Sequence, residues 1–320
     1  MTGSLTVCLP GKKEVKMKNS KFTGPILLVI AAFIWGSTFV AQSEGANHLG
    51  PFTFLCLRSF LGTIVLLPVI FAIDTGKKKK GTFVKESKQE NKKLIISGTV
   101  CGVVLFFASA CQQIGIDKGT EPGKAGFITA LYILLIPVFS LFLGKKIRPL
   151  IWGCVAVSIA ALYMLCVKED NTIVAADLFV LLCAVLYAVH ILVIDKVAPD
   201  MDGVRLSAVQ FLVAGIISIV PAVLFEEISL EAIKNAAVSI AYAGVLSSGV
   251  AFTLQIIAQK RTEPTLASMI MSLESVFGVL SSLVVLGQLP SFREGLGCVL
   301  MFIAIIVAQL PERKKNKIRV

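Results

Sequence analysis

Residues 24–42 read GPILLVIAAFIWGSTFVAQ, a run of nineteen residues without a charged side chain. About 20 apolar residues in a helix cross the roughly 30 Å hydrocarbon core of a bilayer. Nine further apolar runs of similar length follow. The ten predicted transmembrane helices are 24–42, 51–73, 94–113, 124–143, 150–167, 176–194, 207–225, 236–258, 265–286 and 293–310. The pattern therefore predicts an all-α polytopic membrane protein.

The composition agrees with residence in a membrane. Of the 320 residues, 56% are hydrophobic and 16% are charged, and the mean hydropathy is +0.84. A soluble domain of this size needs more polar surface to cover its core. The net charge of +11 does not indicate nucleic acid, because the basic residues stand in short loops between apolar runs. We therefore expect the lipid bilayer as a partner and no nucleic acid.

The basic residues predict the orientation. Of the 31 Lys and Arg residues, 25 lie in the two terminal tails and in the loops that would share one face with them. Cytoplasmic loops carry such an excess. We therefore expect a multi-pass protein of the bacterial inner membrane with a cytoplasmic N-terminal tail, 1–23, and a cytoplasmic basic tail, 311–320. The lysine-rich loop 74–93 would then face anionic lipid headgroups.

Matching residues recur at near-constant offsets, which indicates an internal duplication. The matched pairs are Trp35 with Tyr187 and Arg58 with Gln210 at an offset of 152, and Thr120-Glu121-Pro122 with Thr262-Glu263-Pro264, Gln113 with Gln255 and Tyr132 with Glu274 at 142. The halves 24–167 and 176–310 each hold five predicted helices. Because five is odd, two such copies insert with opposite orientation, and inverted repeats are typical of secondary transporters.

Several short motifs, taken in order along 24–310, resemble the EamA-domain branch of the drug/metabolite transporter superfamily. They are Trp35-Gly36-Ser37-Thr38-Phe39, Arg58, Ala125-Gly126-Phe127-Ile128-Thr129, Leu131-Tyr132, Gln255, Gln259-Lys260 and Ser272-Leu273-Glu274-Ser275-Val276-Phe277. The resemblance implies a ten-helix carrier, often an exporter, for amino acids or other small metabolites. It also implies that no cofactor is bound.

The candidate site residues are polar or aromatic groups inside predicted helices, where an ionisable side chain is costly. Glu274 would bind a substrate amine or carry a coupling proton; alternatively, it is a structural acid paired with Arg58 or bonded to glutamines. Arg58 would bind a substrate carboxylate, or form a salt bridge, or snorkel to the interface. Trp35 and Tyr187 would flank the substrate, or serve in packing or in an interfacial aromatic belt. Tyr132, as the equivalent of Glu274, would face it across a central cavity.

Three further groups have mainly structural interpretations. His190 is a titratable group one turn beyond Tyr187, although a lone histidine is more often a satisfied hydrogen-bond donor. Gln113 and Gln255 would form hydrogen bonds between helices. Asp177 would cap the sixth helix.

The sequence carries none of the common catalytic or nucleotide-binding motifs. There is no HExxH, GxSxG, CxxC or GxxxxGK[ST]. We therefore expect neither an enzyme nor an ATP-driven pump, and no metal site. The hypothesis is a secondary transporter of a small-molecule substrate, an exporter as the resemblance implies, that works by alternating access with Glu274 as a candidate for proton coupling. A multidrug or lipid-linked-substrate exporter of the same fold is the alternative, and the chain would act as a monomer or homodimer.

Overall fold

The computed structural model describes residues 23–120, 122–166, 174–286, 289 and 291–310. Within these ranges the regular structure is helical, with no strand. The helices are α1 (Thr23–Ala46), α2 (Pro51–Lys79), α3 (Lys88–Asp117), α4 (Pro122–Ala130), α5 (Tyr132–Phe142), α6 (Pro149–Cys166), α7 (Ala175–Val197), α8 (Gly203–Phe225), α9 (Leu230–Asn235), α10 (Ala237–Ala241), α11 (Phe252–Gln259), α12 (Pro264–Met271), α13 (Leu273–Leu286) and α14 (Phe292–Ala308). A π-helix, Tyr242–Ala251, joins α10 to α11. The prediction of an all-α chain is confirmed.

Eight helical segments in the described part of the chain are long and apolar enough to cross a membrane. The predicted fifth and tenth spans form the shorter helices α6 and α14, of 18 and 17 residues. At 1.5 Å per residue such helices reach about 26 Å, a little less than a typical hydrocarbon core. Eight long apolar spans are thus observed, and the number ten stays a prediction.

Proline begins several of the helices. Pro51, Pro149 and Pro264 are the first residues of α2, α6 and α12. Proline lacks a backbone N–H, and the first helical position has no intrahelical use for that donor. These residues therefore fix where the chain re-enters a helix after a loop.

The predicted fourth and ninth helices are each interrupted by one residue. Leu131 separates α4 from α5, and Ser272 separates α12 from α13. The interruptions place Tyr132 and Glu274 in the first turns of α5 and α13. An anionic side chain is stabilised at such a helix N-terminus by the aligned peptide dipoles.

The most extensive helix packing involves α1, α2, α3, α7 and α8. Helix α2 packs along α8, α3 packs against both α7 and α8, and α6 packs along α14. Helix α1 packs between α13 and the segment formed by the π-helix and α11. The largest buried apolar cluster joins α5, α6, α12 and α14 and includes Ile133, Leu162, Ile270 and Met301.

Candidate functional site

A cavity lies among these helices, and all five predicted site residues line it. The volume open to the centre of a water molecule is about 50 Å³, several times the roughly 15 Å³ that one water needs. The lining residues are Trp35, Phe39, Gln42, Arg58, Gln112, Thr129, Tyr132, Tyr187, Ile191, Ser247, Phe252, Gln255, Met271 and Glu274. That these residues bind a substrate stays a prediction, but the structure brings them together.

Glu274 is a buried carboxylate, 5% exposed. The hydroxyl of Tyr132 donates to its Oε1 at 3.2 Å. The expectation that the two residues face each other across the cavity is therefore wrong, because they touch. The structural alternative of a pair with Arg58 is also wrong, since no salt bridge joins Arg58 to Glu274 among the described residues.

Arg58 is equally buried, 5% exposed, so it does not snorkel to an interface. Its guanidinium donates to Ser247 Oγ at 3.1 Å and to Ser248 Oγ at 3.3 Å. Both serines belong to the π-helix, a geometry that often occurs at functional positions. Two neutral hydroxyls orient the cation without neutralising it, so its charge remains available to an anionic group in the cavity.

Trp35 and Tyr187 line the cavity from α1 and α7. The ring of Trp35 packs edge-on against Phe252, with ring centroids 4.9 Å apart. Tyr187 shares a hydrogen bond with Ser109 at 3.1 Å. Its position beside the cavity rules out the alternative of an interfacial belt. The Trp35 Nε1 donor is buried and has no hydrogen-bond partner within the described residues.

The glutamines form a network on one side of the cavity. Gln42 Nε2 donates to Gln112 Oε1 at 3.1 Å and to Gln113 Oε1 at 3.2 Å, and Gln113 Nε2 donates back to the backbone oxygen of Gln42. Gln112 also donates to Thr129 at 3.0 Å. The predicted interhelical role is confirmed for Gln113. Gln255, its repeat equivalent, lines the cavity, and its Oε1 has no partner in the described part of the chain.

Two predicted structural groups lie outside the cavity lining. His190 is fully buried, and its Nε2 is 3.2 Å from Gln210 Oε1. The carboxylate of Asp177 accepts a hydrogen bond from the backbone N–H of Val174 at 2.9 Å, so it stabilises the start of α7 as expected. Asp177 is, however, the third residue of the helix, and Val174 occupies the cap position. Asp177 also forms a buried salt bridge of 2.5 Å with Lys124, which ties α7 to α4.

Four residues at the site were not predicted from the sequence: the two serines that hold Arg58, Gln112 and Phe252. Nothing in the local sequence separates a π-helix from an α-helix, so the serines gave no signal. A polar residue in an apolar run was the available clue for Gln112. In the described ranges, no group of three or more His, Cys, Asp or Glu side chains could hold a metal ion.

Comparisons with known proteins give a matching family model, related proteins and a similar fold. The model of the EamA-like transporter family matches residues 22–167 and again 174–309. An uncharacterized transporter of Archaeoglobus fulgidus is 26% identical over 285 residues, covering 88% of this chain and 84% of that protein. The uncharacterized transporter YoaV of Bacillus subtilis is 22% identical over 247 residues, covering 76% and 81%. One solved crystal structure superposes with a TM-score of 0.71 at 20% identity, covering 91% of this chain and 97% of the other, which is a likeness of fold.

Proposed function

The chain belongs to the EamA-like transporter family, and we propose that it is a secondary transporter that exports amino acids or similar small zwitterions by alternating access. Its long apolar helices make it a multi-pass membrane protein. The resemblance drawn from its motifs is thereby confirmed at the level of the family. The substrate, the direction of transport and its coupling are the proposal.

The observation that carries the proposal is a pair of opposite charges in one cavity. Arg58 and Glu274 both line it, both are 5% exposed, and their partners are neutral hydroxyls of Ser247, Ser248 and Tyr132. A buried charge without an opposite charge is costly. A small zwitterion relieves both costs at once, because its carboxylate suits the guanidinium and its ammonium suits Glu274. An α-amino acid is the simplest solute of that kind.

Inverted repeats are supported by contacts that recur when the halves are exchanged. The offset of 142 matches Gly102 with Gly244, and the offset of 152 matches Leu61 with Val213. A Cβ on Gly102 would come within 2.8 Å of Val213, and a Cβ on Gly244 within 2.8 Å of Leu61. The same close approach of α3 to α8 thus recurs between the π-helix and α2. The hydrogen bond between Tyr132 and its equivalent Glu274 is what a two-fold axis passing between them produces.

Alternating access is supported by an acid at each end of the α2–α8 pair. Asp74, near the end of α2, accepts from Arg205 in the first turn of α8 at 2.7 Å. Glu226, just after α8, accepts from the backbone N–H groups of Phe52 and Thr53 in the first turn of α2, both at 2.7 Å. Asp74 and Glu226 are 152 residues apart, as are Thr53 and Arg205. We call these contacts the Asp74 latch and the Glu226 latch, and opening of each face would require release of its own latch.

Proton coupling would use the same carboxylate as substrate binding. In a water-poor cavity the charged form of Glu274 is disfavoured unless a cation lies nearby. A proton and a substrate ammonium would therefore compete for Glu274. Inward movement of protons would drive outward movement of substrate, because only one of the two occupies the carboxylate at a time.

The alternative, a multidrug or lipid-linked-substrate exporter, is favoured by the aromatic lining of the cavity. Trp35, Phe39, Tyr132, Tyr187 and Phe252 provide rings that attract amphipathic or quaternary cations. Against it stands the small cavity volume of about 50 Å³. Arg58 also repels a cation that has no carboxylate. We therefore place the zwitterion first.

Orientation and membrane are part of the proposal. We propose that both termini are cytoplasmic, because of the positive-inside pattern of the loops, and that the chain acts in a bacterial cell membrane as a monomer or homodimer. In a cysteine-free background, single cysteines in loop 43–50 should react with an impermeant thiol reagent in intact cells. Those in 74–93 should react only after permeabilisation. The reverse labelling pattern would overturn this orientation.

A thermal-shift screen tests the substrate class. A ligand that prefers the folded state stabilises it by about 2.7 kcal/mol when present at 100 times its Kd. We expect at least one of the twenty amino acids to raise the melting temperature of the purified protein. Arg58→Gln should abolish that shift and Glu274→Gln should reduce it, whereas Asp195→Asn should keep it, because Asp195 pairs with Lys145 outside the cavity. No shift with any amino acid, together with a shift for amphipathic cations, would favour the alternative.

A further inference from the structure

The repeat-equivalent glutamines Gln113 and Gln255 have different surroundings. Both amide atoms of Gln113 are used by Gln42, with donor–acceptor distances of 3.2 Å. Gln255 is 2% exposed and lines the cavity, and its buried Oε1 has no hydrogen-bond partner among the described residues. One member of the pair therefore joins helices, whereas the other is a cavity-lining residue whose buried acceptor is unused.

A buried polar atom without a partner costs free energy, so native proteins rarely retain one without a use. A second cavity-lining residue, Trp35, also has such an atom, its indole Nε1 donor. Together with the two charged groups, the wall then offers two donors, Arg58 and Trp35, and two acceptors, Glu274 and Gln255. Donors suit a carboxylate, and acceptors suit an ammonium group that carries N–H bonds.

We propose that Gln255 is a substrate-contact residue that accepts a hydrogen bond from the substrate's ammonium group, so that the cavity selects zwitterions with N–H donors over quaternary ones. The inference rests on the proposed function and narrows its substrate class. A trimethylated nitrogen keeps its positive charge and its attraction to Glu274, but it has no proton to donate. It leaves Gln255 Oε1 unsatisfied, and the larger group also occupies more of a small cavity.

The test uses the amino acid that gives the largest thermal shift with the wild-type protein, and its N,N,N-trimethyl derivative. We expect the wild type to bind the amino acid at least about tenfold more tightly, the effect of one lost hydrogen bond to a buried group. Gln255→Leu should reduce that preference by about tenfold through weaker binding of the amino acid. Gln113→Leu is the matched control: it should lower the melting temperature and leave the preference unchanged.

A second variant identifies the direction of the hydrogen bond. Gln255→Glu keeps the acceptor and removes the amide donor, so it should retain the preference for the amino acid. If the amide instead donates to the substrate carboxylate, Gln255→Glu abolishes binding of the amino acid, and the ammonium assignment is overturned.

The outcomes separate the two levels of the hypothesis. A wild-type protein that binds no amino acid contradicts the proposed function itself. A wild type that binds one, with the same preference in Gln255→Leu, contradicts only the inference about Gln255. A wild type that binds the trimethyl derivative more tightly also contradicts it, and would indicate recognition by the aromatic rings.

Discussion

Removal of one latch should open one face of the protein and leave the other closed. Both latches are formed in this structure, the Asp74 latch with Arg205 and the Glu226 latch with the first turn of α2. The variants Asp74→Ala and Glu226→Ala therefore form a matched pair, since the two acids occupy equivalent places in the two halves. Each should shift the population toward the state that is open on its own side.

The magnitudes follow from the contacts. Glu226 is partly buried and accepts two charge-assisted bonds from backbone N–H groups, both at 2.7 Å. Such contacts contribute about 1.5–3 kcal/mol, which corresponds to a population shift of roughly 10- to 150-fold. The Asp74–Arg205 salt bridge is partly accessible, with side chains 23% and 26% exposed. Accessible pairs contribute up to about 1 kcal/mol, or roughly fivefold.

The assay measures access to the cavity from each side. Met271 lines the cavity, so Met271→Cys in a cysteine-free background reports labelling by an impermeant thiol reagent in right-side-out and inside-out vesicles. Glu226→Ala should raise the rate from outside by at least about tenfold, and Asp74→Ala should raise the rate from the cytoplasmic side by about fivefold. If both variants raise labelling from the same side, or neither raises it, the latch reasoning is refuted.

Two further predictions concern the site and its packing. Glu274→Gln keeps the size of the side chain and the hydrogen bond from Tyr132, but it removes the titratable group. Proton-driven transport in proteoliposomes should therefore be lost, whereas substrate exchange should survive as far as the variant still binds substrate. If the pH dependence of transport is unchanged, Glu274 has a structural role. A Cβ on Gly36 would lie 2.4 Å from the backbone oxygen of Glu274, whereas a Cβ on Gly153 meets nothing within 4 Å. Gly36→Ala should therefore destabilise the protein by about 1–3 kcal/mol, because the added methyl group pushes α1 away from α13. Gly153→Ala should leave the melting temperature unchanged or slightly raised. Equal melting temperatures for the two variants would contradict this packing argument.

The five residues that were predicted to form the site all line one cavity, and they could be recognised because each stands out in the sequence. Arg58 and Glu274 are ionisable groups inside apolar runs, which is costly in lipid without a reason. The repeat offsets connect Tyr132 with Glu274 and Trp35 with Tyr187. These signals depend on composition and spacing, both of which are properties of the sequence.

The details that the sequence could not provide depend on three-dimensional geometry. An offset of 142 matches Tyr132 with Glu274, but it does not give their distance from the axis that would relate them. They lie in hydrogen-bond contact rather than on opposite walls. Likewise, the partners of Arg58 depend on a π-helix that brings Ser247 and Ser248 to the guanidinium. Hydrophobic patterns do not distinguish that winding from an α-helix.

The difference between Gln113 and Gln255 has a similar origin. Their positions in the two halves are equivalent, so the sequence assigns both to contacts between helices. The partner of Gln113 is Gln42 on α1, and the residue at the matching place on α7, 152 positions later, is Ile194. An isoleucine cannot bond an amide, so Gln255 is left without the contact that its equivalent makes.

Counterflow in proteoliposomes tests the central claim most directly. Vesicles loaded with an excess of the unlabelled amino acid that gives the largest thermal shift are diluted into a trace of the labelled compound, with no ATP present. We expect transient accumulation of label above its equilibrium level by the wild-type protein and none by Arg58→Gln. Transport of zwitterions through the Arg58 cavity is contradicted if none of the twenty amino acids accumulates while an amphipathic cation does, or if Arg58→Gln exchanges as fast as the wild type.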